Sequence, residues 1–128
     1  MDKKKILIAD DQEDVLSLLS DFLSGHDFEV MVIKNPKEIS GCAVSFAPNL
    51  ILLDLLMPVL GGFDVCEILN KDERTREIPI IIITGFGNLA DVKKAYNLGA
   101  VGYLVKPFSL EELLSKINKT LSNKETRL

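Results

Sequence analysis

Cysteine and histidine are scarce in this chain, and long apolar runs are missing. Two cysteines, Cys42 and Cys66, and one histidine, His26, occur in 128 residues. Each cysteine falls in a segment of helical pattern with apolar neighbours, so buried free thiols in a reducing compartment are expected. His26 lies in the turn Gly25-His26-Asp27, which predicts a solvated side chain, neither a ligand nor a phosphate carrier. No run of 18 apolar residues exists, so no membrane span is expected. The N-terminus Met1-Asp2-Lys3-Lys4-Lys5 has a signal peptide's charge without its apolar region or cleavage site. Basic residues form no stripe and the net charge is −4, which argues against direct nucleic-acid binding. There is no internal repeat and no linker. These absences predict a soluble, cytoplasmic single domain with no membrane contact.

Hydrophobic residues make up 47% of the chain, enough for a core at this length. They are organised as short aliphatic runs alternating with helical patterns. Strands are expected over residues 4–9, 28–33, 49–54, 80–83 and 101–105. Helices are expected over about 13–24, from the Asn35-Pro36 capping pair onward, from Gly61-Gly62 to Asn70, from Leu89 to Leu98 with Gly99 as the stop, and after Ser109, which stands in capping-box spacing with Glu112. The charged stretch 71–77 reads as a solvated loop, and the polar segment 122–128 as a tail prone to fray. Five βα units in this order imply a parallel sheet with helices on both faces.

The chemistry gathers at the strand exits. Strand 1 ends in Asp10-Asp11, strand 3 in Asp54, strand 4 in Thr84 and strand 5 in Lys106-Pro107. Open α/β sheets bind ligands beyond the carboxyl ends of their strands. Three carboxylates, a hydroxyl and an ammonium on one edge point to phosphoryl transfer around a divalent cation. Taken singly most of these residues have plainer roles. Asp10-Asp11 alone serves as an N-cap and helix-dipole pair, Thr84 as a cap or turn residue, and Lys106 as a surface charge. Asp54 resists such a reading, because an acid ending an aliphatic strand needs a partner to offset its desolvation.

In combination these residues resemble the receiver domain of two-component response regulators, of the chemotaxis-regulator type. The likeness covers roughly residues 3–122. It rests on Asp10-Asp11, on Asp54-Leu55-Leu56-Met57-Pro58 with Gly62, on Thr84, and on Lys106-Pro107-Phe108. The resemblance implies a flavodoxin-like (βα)5 three-layer sandwich, with a five-stranded parallel sheet of order 2-1-3-4-5. The receiver would occupy residues 1–123 and a polar tail 124–128. Asp54 would accept phosphate from a phosphohistidine of a sensor histidine kinase or a histidine phosphotransfer domain. A carboxylate can attack phosphorus, but like charges 4 Å apart repel by about 4 kcal/mol at an effective dielectric of 20, so a neutralising metal is needed. By the resemblance, Mg²⁺ (or Mn²⁺) would be held by Asp11, Asp54 and the backbone carbonyl of Leu56, with Asp10 acting through water, in the octahedral oxygen shell Mg²⁺ prefers. Lys106 would pair with Asp54 and then with a phosphoryl oxygen. Thr84 would donate its hydroxyl to another. Tyr103 falls at the family's aromatic switch position beside Thr84, although a partly buried sheet aromatic explains it equally well.

Further expectations concern surfaces and departures. Val15, Leu16, Leu18, Leu19, Phe22 and Leu23 span about 160° of helix 1, wider than one core stripe usually needs. The resemblance implies that the part of helix 1 nearest the acids and the loop after strand 5 dock the phosphate donor, which makes Val15, Leu18, Pro107 and Phe108 the candidates, against a merely broad core face. Leu56 and Phe86 are apolar where relatives often carry polar groups, which predicts a slowly hydrolysed acyl phosphate, while Gly85 keeps access open. Ala100-Val101-Gly102-Tyr103 lacks the acidic pair of receivers that dimerise through helix 4, strand 5 and helix 5. A phosphorylation-dependent dimer stays compatible with the chain. The Lys106–Pro107 bond is expected to be cis, against a base rate of about 5–6%, so that the ammonium turns back toward Asp54. Two other classes fit less well. A Mg²⁺-dependent phosphatase-like hydrolase of the haloacid dehalogenase type needs an acid two residues after its nucleophile, where this chain has Leu56. A flavin mononucleotide binder would want a Ser/Thr/Gly-rich loop after strand 1.

Overall fold

A computed structural model describes residues 3–55, 60–85 and 87–126, with side chains described through Asn123. Its elements alternate strictly: β1 (Lys4–Ala9), α1 (Glu13–Ser24), β2 (Phe28–Ile33), α2 (Ile39–Phe46), β3 (Leu50–Asp54), α3 (Gly62–Lys71), β4 (Ile80–Thr84), α4 (Leu89–Asn97), β5 (Gly102–Val105) and α5 (Leu110–Thr126). The strands form one five-stranded sheet of order β2-β1-β3-β4-β5, parallel throughout. This is the flavodoxin-like arrangement that the resemblance implies.

The aliphatic runs explain the layers. Every residue of β3 and β4 is buried, as expected of central parallel strands covered on both faces. Alternate residues face two cores. Leu7, Ile51, Leu53 and Ile82 lie on the side packed by α2, α3 and α4. Ile6, Ile8, Leu50, Leu52, Ile81 and Ile83 lie on the side packed by α1 and α5. A one-residue slip in any central strand would exchange the two sets, so register is strongly specified.

Three local expectations are revised. Asn35 does cap, its side chain accepting from the Lys37 N–H at 3.0 Å, but what it opens is a 3-10 turn, Pro36–Glu38; the α-helix starts at Ile39. The charged loop after α3 is anchored. Thr75 is 1% exposed and its hydroxyl donates to the Leu69 carbonyl at 2.7 Å, closing the end of α3. The polar C-terminal segment stays helical through Thr126, past the predicted start of the tail. Elsewhere the signals hold. Ser109 and Glu112 form the reciprocal capping box, and Gly99 takes φ +108° just beyond α4. No described helix is long and apolar enough to cross a membrane.

Candidate phosphoryl-transfer site

The carboxyl edge of the sheet collects the acids. Asp10 leaves β1 fully buried and Asp54 ends β3 at 4% exposure, while Asp11 is exposed. One oxygen from each of the three carboxylates can be chosen so that all lie within 4.8 Å of one another. Such a cluster of anions is costly unless something offsets it. Lys106 does so in part. Its ammonium lies 3.3 Å from Asp10 Oδ2 and 3.5 Å from Asp54 Oδ2, and its side chain is 25% exposed. The Lys106–Pro107 bond is cis, as expected.

Backbone contacts position these side chains. The Gln12 N–H donates to Asp10 Oδ1 at 3.0 Å, so Asp10 turns back onto the chain instead of capping α1. Gln12 itself occupies the N-cap position without a side-chain bond. The Lys106 N–H donates to the Thr84 carbonyl at 2.7 Å, tying the exits of β4 and β5 together. Thr84 is fully buried. Beyond Asp54, the Gly62 N–H donates to the Leu55 carbonyl at 3.0 Å. A Cβ on Gly62 would sit 2.5 Å from the Leu55 Cα and 2.8 Å from the Asp54 carbonyl oxygen, so only glycine allows α3 to start this close to the acid.

Other predicted residues divide. Tyr103 is 9% exposed and belongs to the core under α4. Its register partner is Ile82, so it shares a sheet face with Thr84, two residues on. Burial, and then the charge of Asp91, push its phenol pKa up. Of the docking candidates, Leu18 is 56% exposed and Pro107 is exposed. Val15 and Phe108 are half-buried and pack on the α1–α5 core, so the broad apolar face of α1 is mostly core. Leu56, whose backbone carbonyl the resemblance assigns to the metal, and Phe86 lie outside the described residues.

One ion pair at this edge had no signal in the chemistry-bearing motifs. Lys34, just past β2, meets Glu13 of α1's first turn at 2.7 Å. The hydrogen bond from Lys34, reinforced by its charge, holds the Glu13 carboxyl below its ordinary range.

The donor set suits a hard divalent cation. Three carboxylates supply oxygen ligands only, the type that Mg²⁺ and Mn²⁺ take, and an acidic cluster offset by one ammonium retains net negative charge.

Comparison with known proteins agrees with this geometry. The family model for the response regulator receiver domain matches residues 6–118. The chain is 37% identical, over 91% of its length, to the DNA-binding dual master transcriptional regulator RpaA of Synechocystis, of which it covers 48%. It is 31% identical over 96% of its length to the DNA-binding response regulator MtrA of Mycolicibacterium smegmatis, covering 53% of that protein. The chain thus spans about half the length of these curated relatives. Among solved structures, a CheY-like receiver domain protein from Methanospirillum hungatei superposes with a TM-score of 0.92 at 28% identity, covering 98% of this chain and 99% of that one. The receiver domain of a signal transduction histidine kinase from Syntrophus aciditrophicus gives 0.85 at 28% identity, with 94% and 91% covered. The acids at the strand exits, the parallel sheet of this order and the family match lead to one conclusion: the chain belongs to the response regulator receiver domain family of two-component signalling.

Proposed function

We propose that this receiver domain takes a phosphoryl group from a phosphohistidine onto Asp54 and works as a cytoplasmic signalling switch. The donor would be a sensor histidine kinase or a histidine phosphotransfer domain. The observation that carries the reading is the position of Asp54: a nearly buried carboxylate at the end of a central strand, within 3.5 Å of the Lys106 ammonium and clustered with Asp10 and Asp11.

In the transfer, an Asp54 oxygen attacks phosphorus, an O–P bond forms, and the P–N bond breaks with its electron pair leaving on the imidazole. Asp10, Asp11 and Asp54 would hold Mg²⁺ or Mn²⁺, joined by the Leu56 carbonyl on the family's pattern. Such a cation supplies charge neutralisation between the carboxylates and the phosphoryl oxygens. Lys106, shared between two acids, would take over a phosphoryl oxygen as Asp54 loses its charge. Thr84 is the hydroxyl donor for another, and Tyr103, on the same sheet face, is the residue through which its movement would reach the surface. The exposed Leu18 and Pro107 flank the docking path of the donor, with Val15 and Phe108 beneath them. The catalysis is confined to the domain's own phosphorylation and dephosphorylation.

Incubation with acetyl phosphate and Mg²⁺, followed by intact-mass and peptide mass spectrometry, tests this directly. One base-labile phosphoryl group on Asp54 is expected, absent from Asp54→Asn, with Mg²⁺ affinity sharply reduced in Asp11→Ala. Stoichiometric labelling of Asp54→Asn, or labelling undiminished by a chelator, would sink the assignment.

A further inference from the structure

Helix α2 is built more weakly than the elements around it. It is eight residues long and buries only Ile39 and Ala43, whereas α1 buries three side chains and α3 four residues. Gly41 stands in its middle, exposed, and a Cβ there would meet nothing within 4 Å. No close approach requires that glycine, so its entropic penalty is uncompensated. The helix ends on Ala47 at φ +51°, a left-handed conformation in which a side chain is strained. Its first turn continues from a 3-10 turn, whose hydrogen bonds are poorer. Helix α4 buries only Ala95, but it is better secured. Asn88 caps its start, Gly99 follows its end, and Lys94 lies 4.5 Å from the Phe63 ring of α3.

The two ends of the α2 segment are nevertheless pinned. Pro36 and Pro48 are buried. At the C-terminal end no basic residue of the helix meets the exposed carbonyls. Lys5 of β1 supplies the missing cation. Its ammonium donates to the Phe46 carbonyl at 3.3 Å and lies 5.4 Å from the Phe46 ring centroid. The Lys5 main chain exchanges hydrogen bonds with Asn49, its N–H with Oδ1 and its carbonyl with the Asn49 N–H, both at 2.8 Å. A positive charge at a helix C-terminus stabilises it through the helix dipole.

We propose that residues 39–47 form a separately opening unit, which detaches while β1, β3 and β4 stay folded, and that Lys5 is the clasp that closes it. The device uses none of the acids or the ammonium gathered at the carboxyl edge.

Native-state amide hydrogen exchange across low denaturant concentrations tests this on the whole chain. The amides of Ala43, Val44 and Ser45 should exchange through an opening with a small denaturant slope, ahead of Leu52 and Ile82. Gly41→Ala should slow them roughly two- to fivefold. Lys5→Met, which keeps the stem and removes the charge, should speed them about two- to fivefold. Thr75→Val, outside the unit, should speed Leu52 and Ile82 roughly fivefold or more and leave the α2 amides unchanged. An α2 slope equal to that of β3, or α2 amides that follow Thr75→Val in step with β3, overturns the separate unit. Unchanged α2 exchange in Lys5→Met overturns the clasp.

Discussion

Strand β1 has Lys5 near its amino end and is followed at its carboxyl end by Asp10, and the two ends of the sheet treat charge differently. At the amino end, Lys5 meets a carbonyl and an aromatic ring, and the contacts close without buried acids. At the carboxyl end, Lys106 faces two buried carboxylates with a third nearby. The first arrangement relieves backbone groups that folding would leave unpaired. The second sustains a like-charge cluster that folding alone would avoid. Buried charge in excess of its counter-charge is therefore what singles out the candidate site, and a polar contact that only completes the backbone is the mark of architecture.

Gly62→Ala attacks the carboxyl end hardest. A Cβ pressed against the Leu55 Cα and Asp54 carbonyl should destabilise by about 3 kcal/mol and depress phosphoryl labelling, measured by denaturant titration and mass spectrometry. Gly41→Ala, in open space, should do neither.

Cys66 tests burial away from both ends. Desolvation pushes its thiol up to about 11, whereas an unfolded thiol ionises near about 8.5. The unfolded state therefore loses its proton first, so stability is full below about 8.5 and declines as pH rises toward about 11. The loss should be on the order of 2–3 kcal/mol relative to its own neutral-pH value, in excess of any decline in Cys66→Ala over the same range. Matching pH profiles for the two proteins would remove the burial effect.

Thr75→Val keeps shape and deletes the hydroxyl that closes α3. A loss of about 1–2 kcal/mol is expected, with labelling of Asp54 unaffected, as befits an architectural contact. The smallest effect sharpens the contrast by its sign. Asp11→Asn should stabilise the metal-free protein by about 1 kcal/mol, through relief of repulsion among carboxylates, and Mg²⁺ should then raise its melting temperature less than that of the parent.

Much of this was legible in the sequence. The aliphatic runs of β3 and β4 admit only a doubly covered strand, and the residue that follows each run is where a parallel sheet must place its chemistry. That is why Asp10, Asp54, Thr84 and Lys106 could be brought to one edge before any coordinates. Helix α1 was harder. Its broad apolar face was compatible with an exposed docking surface, yet Val15 turned into the core and Leu18 did not, because the tilt of a helix on its sheet is set by packing and not by periodicity. Thr75 was hidden inside a charged run, where a single hydroxyl bound to a carbonyl leaves no pattern. The Glu13–Lys34 pair joins elements 21 positions apart, and only the β1–β2 pairing brings them together.

The hydrogen bond from the Lys106 N–H to the Thr84 carbonyl has a consequence for tolerance to change. The spacing between the ammonium-bearing and hydroxyl-bearing residues is a main-chain dimension, set by one peptide group against another. Side chains at the intervening surface positions can be exchanged without resetting that gauge. Exposed residues such as Val105 can thus drift while Thr84 and Lys106 keep their spacing.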